Sequence, residues 1–269
     1  MTDIRQTHQY SKYLTTTGWI IEEKDNTYYF IKRFSILGSV IKLQRPKNID
    51  ISYLETLSKK YKAFHIIIEP LNEKQVKELI SGGYKLSKNP YLPSKTLLLD
   101  ITRPQEVIFN NFKNDSRGYI TKNATLQFKH HSERSMSEFR QAWKMTVGLK
   151  RHVPSLKNLK SLNKTFGKNS LFITTKNMDA GAIFLIGEKT GYYWQAFTSK
   201  DGRKSKSQYN IVYEGMIWSK KMDAISFDFE GVYDERFPNR SWLGFTHFKK
   251  SFSGKSTLYP GAYTKIKFP

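Results

Sequence analysis

The sequence predicts an α/β fold in two lobes. Short runs rich in β-branched and aromatic residues alternate with segments of helical apolar spacing, which is typical of mixed α/β domains. The alternation stops at residues 88–95 (KNPYLPSK), where two prolines oppose regular structure, and it then restarts. A chain of 269 residues can form two small domains with cores of their own. We therefore expect a first lobe over residues 1–95 and a second lobe over residues 96–269.

The first lobe is predicted to be a short β-β-α-β-α unit that follows an N-terminal helix. The N-terminal helix should end at Gly18, and the last helix of the lobe should end at Gly82 and Gly83, since glycine is a natural helix stop. The predicted elements are a helix at 11–19, strands at 27–33 and 39–43, a helix at 51–61, a strand at 64–68 and a helix at 73–80.

The second lobe is predicted to be longer and to repeat the same plan. Pro104 suits the first turn of a helix, and the helix that precedes the last part of the lobe is long and amphipathic. The predicted elements are a strand at 96–101, a helix at 104–112, a strand at 125–130, helices at 137–147 and 156–166, strands at 170–175, 181–187 and 192–197, a helix at 208–222, a strand at 225–229, and one or two strands within 257–268.

The charge balance indicates polyanionic partners. The chain has 45 Lys and Arg against 23 Asp and Glu, a formal net charge of +22, and such a field attracts phosphate-rich molecules. A lysine-rich proteome from an AT-biased genome would explain part of this excess. The clustering of basic residues is more specific evidence than the total charge. One basic cluster follows Glu235, after which the chain has no acidic residue. Two further clusters contain Lys144, Lys150, Arg151, Lys157, Lys160, Lys164 and Lys168, and Lys200, Arg203, Lys204 and Lys206.

Aromatic residues lie among these cations, which suits a surface that binds phosphates together with bases or sugars. The residues concerned are Trp143, Tyr209, Trp242 and Phe245.

Several classes of chemistry are excluded or disfavoured. The chain has no cysteine, which removes thiol nucleophiles, disulfides and cysteine-based zinc sites. It contains no phosphate loop, dinucleotide fingerprint, HExxH or GxSxG motif, and the adjacent His130 and His131 point to opposite faces of a strand and cannot share a metal. The N-terminus lacks an apolar leader, and no stretch is long enough to span a membrane. We expect a cytoplasmic protein without a metal.

The richest stretch in functional groups is residues 225–252, ISFDFEGVYDERFPNRSWLGFTHFKKSF. An apolar strand carries Asp228 near its end, a charged and aromatic loop follows, and the pair Phe248-Lys249 comes next. Functional groups gather on loops at strand ends. Composition alone supports a functional role and a structural role for Asp228 and Lys249 equally.

This stretch resembles the Fem family of peptidyltransferases. The family has an apolar strand ending in Tyr-Asp-(Leu/Phe)-Gly-Gly and, after a loop, Leu-Tyr-x-Phe-Lys-x-x-Phe; here the two parts read FDFEG and LGFTHFKKSF. Three other stretches are similar to the family in the same order: QTHQYSKYLTTTGW, TLLLDITRPQEVIFNNFKNDSRGYITKNA and GAIFLIGEKTGYYWQAFTSKD. The likeness covers most of the chain.

The resemblance implies two acetyltransferase-like (GNAT) lobes in tandem, the first abbreviated, without the coiled-coil insertion of some members. It implies transfer of an amino acid from aminoacyl-tRNA to the side-chain amine of a peptidoglycan precursor peptide, either lipid-linked or UDP-linked. Both substrates are polyanions. Aminoacyl-tRNA is then a co-substrate, no cofactor is required, and the protein would at most touch the inner membrane surface.

The resemblance also assigns residues. Lys249 matches a lysine that stabilises charge at the reacting ester, and Glu69 stands where the family has an aspartate, so that it could hold or deprotonate the attacking amine. Six residues are assigned to substrate binding on the same ground: Phe248, Arg151, Asp228, Gln195, Arg117 and Lys122.

Two alternatives remain open at this point. An acyl-CoA-dependent N-acetyltransferase could share the fold, but the stretch DGRKSKSQYN lacks the glycine-rich turn that such enzymes use for pyrophosphate. A non-catalytic binder of RNA or of an anionic precursor would also explain the charge.

Overall fold

The computed structural model describes residues 2–148 and 151–267, which form two compact units. The second unit comprises Leu97–Val232 and Ser241–Ser256, and the first comprises the chain up to Thr96, Tyr233–Arg240 and the chain from Thr257 onward. The predicted range 96–269 is therefore corrected, because two of its segments belong to the first unit. Lys150 and Phe268, named in the basic cluster and in the last predicted strand, lie outside the described residues.

The first unit contains a six-stranded sheet. Its elements are α1 (His8–Thr16), β1 (Ile20–Lys24), β2 (Thr27–Phe34), β3 (Gly38–Gln44), α2 (Ile51–Lys60), β4 (Ala63–Glu69), α3 (Glu73–Ser81), β5 (Lys85–Leu86) and, from the end of the chain, β13 (Tyr263–Ile266). The strand order is β1-β2-β3-β4-β13-β5, in which β3 and β4 are parallel. Both α2 and α3 begin with a side-chain cap, since Asp50 accepts the N–H of Tyr53 and Asn72 accepts that of Gln75.

The core of the first unit forms from alternate residues of the sheet and the apolar faces of α2 and α3. Ile31 and Ile41 on neighbouring strands, Leu54 of α2 and Leu79 of α3 are fully buried in one cluster. This is the alternation that the sequence predicted for half-buried strands, and the strands and helices predicted between residues 27 and 80 are confirmed within two residues at each end.

Three features of the first unit differ from expectation. The N-terminal helix begins three residues earlier than predicted, because the Thr7 side chain caps it by accepting the N–H of Tyr10. The strand β1 was not predicted, since IIEEK shows no regular alternation. The final strand β13 pairs antiparallel with β4, Tyr263 opposite Ile68, so the end of the chain completes the first sheet rather than the second.

The segment Tyr233–Arg240 joins the first unit through a buried carboxylate. Ser94 Oγ donates to Asp234 Oδ2 at 2.6 Å, and Arg236 donates to the same carboxylate and to the carbonyl of Tyr259. These contacts connect three separate parts of the chain, which no local sequence pattern could have indicated.

The second unit contains a seven-stranded sheet. Its elements are β6 (Lys95–Asp100), α4 (Gln105–Asn110), α5 (Asn114–Lys122), β7 (Phe128–His130), α6 (Met136–Val147), α7 (Leu156–Phe166), β8 (Ser170–Thr175), β9 (Ala180–Gly187), β10 (Thr190–Thr198), α8 (Lys200–Ser205), α9 (Gln208–Lys221), β11 (Ser226–Gly231), α10 (Leu243–Lys250) and β12 (Lys255–Leu258). The strand order is β12-β6-β11-β10-β9-β8-β7, and β10 and β11 are parallel.

The central helix α9 packs on β9 and β10 at very close range. Phe184 of β9 lies directly under Gly215 of α9, where a Cβ atom would stand 2.2 Å from the ring. The cluster around this contact includes Phe227 and Phe229 of β11. The helix α7 and the strand β8 match the predicted bounds, whereas α5 and α10 were not predicted as helices. In the part of the chain described here, no helix is long and apolar enough to cross a membrane.

Candidate functional site

Lys249 is a buried lysine on α10, close to the end of β11. Its side chain is only 8% exposed, and Nζ donates a hydrogen bond of 2.7 Å to the carbonyl of Gly231, the last residue of β11. The ammonium also lies 5.6 Å from the ring centre of Tyr193 and 5.1 Å from that of Phe245. The backbone carbonyl and the two rings together fix the position of one cation beside the end of the strand.

The surroundings of Lys249 change its protonation. Burial lowers the pKa of the Lys249 amine from its ordinary value of 10.5 to about 8, and the negative charges of Glu230 and Asp228 act in the opposite direction. A group with this pKa is mostly protonated at neutral pH, yet it gives up a proton far more readily than an exposed lysine. It can stabilise a developing negative charge or exchange a proton near physiological pH.

Asp228 shapes the backbone on which Lys249 depends. Its Oδ1 accepts the N–H of Glu230 at 2.7 Å, and Glu230 adopts a left-handed conformation with φ of +57°. The carboxylate of Asp228 therefore fixes the turn that presents the carbonyl of Gly231 to Lys249. The side chain is buried, so the position assigned to substrate binding also has a structural role.

A short polar chain runs beside the lysine. Gln208, at the start of α9, donates to the hydroxyl of Tyr193 at 2.8 Å and accepts from the hydroxyl of Thr198 at 2.9 Å. Burial raises the pKa of Tyr193, against the effect of Gln208 and of the positive charge of Arg151. The hydroxyl thus stays protonated at neutral pH, and Arg151, which the sequence assigned to substrate binding, is close enough to act on it electrostatically.

The two central parallel strands pair over only part of their length. β10 and β11 pair at three positions, from Thr190 opposite Ser226 to Tyr192 opposite Asp228, although both strands continue beyond them. On the other side of β10 the register with β9 shifts between Tyr193 and Gln195, which is a β-bulge. Gln195 is half-buried just after this bulge, on the portion of β10 that extends beyond its pairing with β11.

Phe248 holds α10 in place. Its ring packs edge-on against Tyr209 of α9 at 4.7 Å between ring centres, and against Phe252 at 5.4 Å. Phe248 is thus in contact with the core of the second unit, and the next residue along the chain is the buried Lys249. The Phe-Lys pair therefore combines a packing residue with the buried cation.

The other two basic positions lie on the surface of α5. Arg117 is half-buried and donates to the side chain of Asn114 and the carbonyl of Asn110, while Lys122 is exposed in the last turn of the helix. Lys206, from one of the basic clusters, lies 5.6 Å from the ring centre of Tyr119 on the same helix. These residues form a basic surface around α5.

The basic cluster after residue 150 includes a row on α7. Lys157, Lys160 and Lys164 have helical spacing on the face opposite the buried leucines, and they line an open cleft of about 380 Å³ together with Glu133. Trp143, which the sequence placed among the cations, is fully buried and stacks on Phe197 at an interplanar angle of 17°. The expectation that this ring could stack on a base is therefore wrong.

Glu69 belongs to the first unit, at the end of β4. It is 4% exposed, one carboxylate oxygen accepts the N–H of Leu92, and the other accepts from Gln44 at 3.3 Å. Burial raises the pKa of Glu69, opposed by the hydrogen bond from Leu92 and by Arg45 and Arg5. Both oxygens are thus engaged in holding β3 and the 88–95 segment.

A buried ionic cluster lies next to Glu69. Asp3 bridges two arginines, at 3.1 Å from Arg5 and 2.9 Å from Arg45, and Arg45 also donates to the carbonyl of Pro93 and stacks on Tyr259 at 3.7 Å. Burial alone would raise the pKa of Asp3, but the two guanidinium groups outweigh it and hold the pKa below its ordinary value.

Several residues of the site were not identified from the sequence. Tyr193, Gln208 and Glu230 surround Lys249 or its neighbours, and each comes from a different element. Glu230 lies in the stretch FDFEG and Tyr193 in GAIFLIGEKTGYYWQAFTSKD, but the resemblance assigned a role to neither. For Gln208 the one available signal was its position directly after a basic cluster and at the start of a long helix. Among residues 2–148 and 151–267, no group of three or more His, Cys, Asp or Glu side chains could hold a metal ion.

The architecture is that of two acetyltransferase-like (GNAT) lobes in tandem, as the resemblance to the Fem family implied. The chain shares the fold of FemX: the two structures superpose with a TM-score of 0.81 over 98% of this chain and 92% of that chain, at 13% sequence identity. L-PGS from Bacillus licheniformis is similar with a TM-score of 0.62, 11% identity, and coverage of 95% and 86%. A tandem GNAT protein from the clavulanic acid biosynthesis pathway is similar with a TM-score of 0.51 and 8% sequence identity, over 90% of this chain and 83% of that chain.

Comparison by sequence gives no further relative. No family model matches the chain. No curated protein matches it either. The likeness is therefore one of fold, and the expectation of a Fem-type fold with tandem lobes is confirmed at that level.

Proposed function

We propose that the protein is an aminoacyltransferase that moves an amino acid from aminoacyl-tRNA to the side-chain amine of a peptidoglycan precursor peptide. The observation that carries the proposal is Lys249, a buried cation with a lowered pKa, held against the carbonyl of Gly231 where β10 and β11 separate. The Fem-like motifs around this lysine and the fold shared with FemX support it.

The chemistry needs one bond formed and one broken. The acceptor amine attacks the carbonyl carbon of the aminoacyl ester, the carbonyl oxygen becomes an oxyanion, and the carbon–oxygen bond to the tRNA ribose then breaks. The ribose oxygen leaves with the proton that the amine loses, which yields an amide and deacylated tRNA. Lys249 stabilises the oxyanion, and this electrostatic stabilisation is strongest in a site that excludes water.

The remaining residues near Lys249 have supporting roles in this proposal. Tyr193 keeps its proton and is fixed by Gln208, so that it can donate a second hydrogen bond to the oxyanion. Arg151 binds a phosphate of the precursor, and Gln195 lines the part of β10 that is exposed to substrate. Arg117 and Lys122 bind phosphates on the surface of α5, where an extended polyanion such as RNA fits.

Glu69 has a structural role in this proposal. Since both of its oxygens accept hydrogen bonds and its side chain is buried, it fixes the 88–95 segment in the first unit. Its raised pKa would also suit a proton acceptor, the role that the resemblance gave it. The variant Glu69→Gln separates the two roles, because glutamine keeps an acceptor for Leu92 but takes no proton.

One observation disfavours the acyl-CoA alternative. The stretch between β10 and α9, where an acetyltransferase would cradle pyrophosphate, forms the short helix α8. The N–H of Gly202 in α8 donates to Ser199 Oγ and its carbonyl accepts the N–H of Ser207, so these backbone groups already have partners. A Cβ at Gly202 would lie 2.5 Å from the carbonyl oxygen of Asp179, which shows how tightly this turn packs.

The test is transfer of label from a pool of radiolabelled aminoacyl-tRNAs to UDP-linked and lipid-linked precursors. The variant Lys249→Met should reduce the transfer rate about 100- to 1000-fold, as loss of an oxyanion donor does in other enzymes. The matched control is Lys250→Met, which removes an exposed lysine from the next position of α10 and should leave the rate unchanged.

The other outcomes identify the alternatives. Transfer that is unaffected in Lys249→Met would refute the site. Stabilisation by acetyl-CoA in a thermal-shift titration, without any aminoacyl transfer, would indicate an N-acetyltransferase. Salt-dependent RNA binding without turnover of any donor would indicate a binding module.

A further inference from the structure

The hairpin between β2 and β3 carries an exposed apolar tip. Phe34 and Gly38 are the last pair of the ladder, and residues 35–37 form the loop. Ile36 is 97% exposed and Leu37 is 70% exposed, the two highest values among the large apolar residues that the structure describes in the first unit. Two adjacent aliphatic side chains held this far out of the fold are unfavourable in water, and a grouped apolar tip points to an interaction surface.

The base of this hairpin is rigid. Gly38 has φ of +94°, and a Cβ there would lie 2.2 Å from the carbonyl oxygen of Lys62, so the strand is pressed against the turn between α2 and β4. The N–H of Ser39 donates to that same carbonyl at 3.1 Å. Phe34, at the foot of the tip, packs edge-on against Phe64. The apolar tip therefore has a fixed support.

Cations surround the base of the tip. Residues 27–49, which include both strands, contain no acidic residue, and neither do residues 56–68, which include the adjacent turn. Arg33 is exposed and its guanidinium stacks on Tyr61 at 5.3 Å. Lys62, whose carbonyl accepts the N–H of Ser39, is exposed as well, and Lys59 is exposed in the last turn of α2. An apolar tip within a basic surround complements a membrane that has an apolar interior and anionic headgroups.

We propose that residues 34–37 dock the protein on an anionic lipid surface, with Ile36 and Leu37 among the acyl chains and Arg33 and Lys62 among the headgroups. A second copy of the chain fits this surface less well. A three-residue loop buries far less than the roughly 1,200 Å² that a stable protein interface needs, and like charges around the tip repel each other. The docking requires neither tRNA nor transfer, so it stands or falls separately from the proposed function.

The absence of cysteine provides a direct test. The variants Ile36→Cys and Ile80→Cys each carry a single thiol for a polarity-sensitive fluorophore; Ile80 is the matched control, because it is 58% exposed on α3 of the same unit. Each labelled protein is mixed with vesicles of equal parts phosphatidylcholine and phosphatidylglycerol. The label at residue 36 should shift to the blue on these vesicles, and the label at residue 80 should not.

A flotation assay measures the affinity of the unlabelled protein for the same vesicles. Leu37→Asp should weaken binding at least about tenfold, since it removes one of the two apolar side chains and adds a negative charge, while Ile80→Asp should not. An equal response at residues 36 and 80, or equal binding to vesicles of phosphatidylcholine alone, would overturn the proposal. A shift at residue 36 that appears with rising protein concentration and without vesicles would assign the tip to a second copy instead.

Discussion

Replacing Lys249 with methionine should change how the stability of the second unit depends on pH. Methionine has a similar length and no charge, so it fills the same space without a buried ammonium. The change in Lys249→Met is compared with Lys250→Met, which removes a lysine that is exposed on the same helix. Any difference between the two variants then reports the burial of one amine.

The magnitude follows from the pKa of Lys249. Below about pH 8 the amine is protonated in both the folded and the unfolded chain, and the folded state carries the full cost of burying the charge. Between about pH 8 and 10.5 the folded chain loses this proton while the unfolded chain keeps it, so the wild-type protein gains stability as pH rises. At about 1.4 kcal/mol per unit of pKa, the gain is about 3 kcal/mol.

The assay is urea unfolding at a series of pH values from 7 to above 10, followed by intrinsic fluorescence. Contributions from other titrating groups cancel in the difference between wild type and variant. The unfolding free energy of the wild type should rise by about 3 kcal/mol relative to Lys249→Met across this range, and Lys250→Met should follow the wild type. If wild type and Lys249→Met changed in parallel, the amine of Lys249 would not be desolvated, and its role in the site would lose its physical basis.

Three further predictions concern stability and the first unit. Gly215→Ala should destabilise the protein by about 1–3 kcal/mol because the new methyl group collides with Phe184. Gly118→Ala should stabilise it by up to about 1 kcal/mol, because Gly118 lies in a helix and no atom is near the added Cβ. Thermal unfolding of the two variants measures both effects. Asp3→Ala should lower the free energy of unfolding by about 3 kcal/mol or more, because it leaves two buried arginines without their shared carboxylate, and a decrease under 1 kcal/mol would contradict this. In the wild type this contribution should be lost only as pH falls below 3.8, which acid unfolding measures. Glu69→Gln should retain most transfer activity and stability, while Glu69→Ala should lose stability by about 1–3 kcal/mol; loss of transfer in a fully stable Glu69→Gln would establish a proton-accepting role.

Much of the secondary structure could be predicted from the sequence because its signals are local. The helix at Leu156–Phe166 has a serine cap and buried leucines at helical spacing, and the strand at Ser170–Thr175 is a short apolar and β-branched run. The helix Leu243–Lys250 was missed for the opposite reason. Its central residues 244–248 (GFTHF) have low helix propensity, and its packing through Phe248 on α9 stabilises it.

The site was only partly predictable. Lys249 and Phe248 stood out through a motif, but the lowered pKa of Lys249 results from burial in the complete fold, against the opposing charges of Glu230 and Asp228, and a motif does not encode burial. Tyr193 and Gln208 are 15 positions apart and meet only because α9 packs back onto β10. Glu69 was correctly placed at the end of a strand, yet its two hydrogen-bond partners come from other segments.

Four features follow from composition or from spacing within a few residues: the alternation of strands and helices, the strongly basic charge balance, the lack of a cysteine thiol and the position of the Phe-Lys pair. Three others depend on the complete fold: the end of the chain completes the first sheet, Trp143 is a core residue, and Ile36 and Leu37 are exposed at the tip of a hairpin. Strand partners and burial depend on contacts between residues far apart in the chain. Their free energy comes from surface removed from water in the complete fold, which no single segment contains.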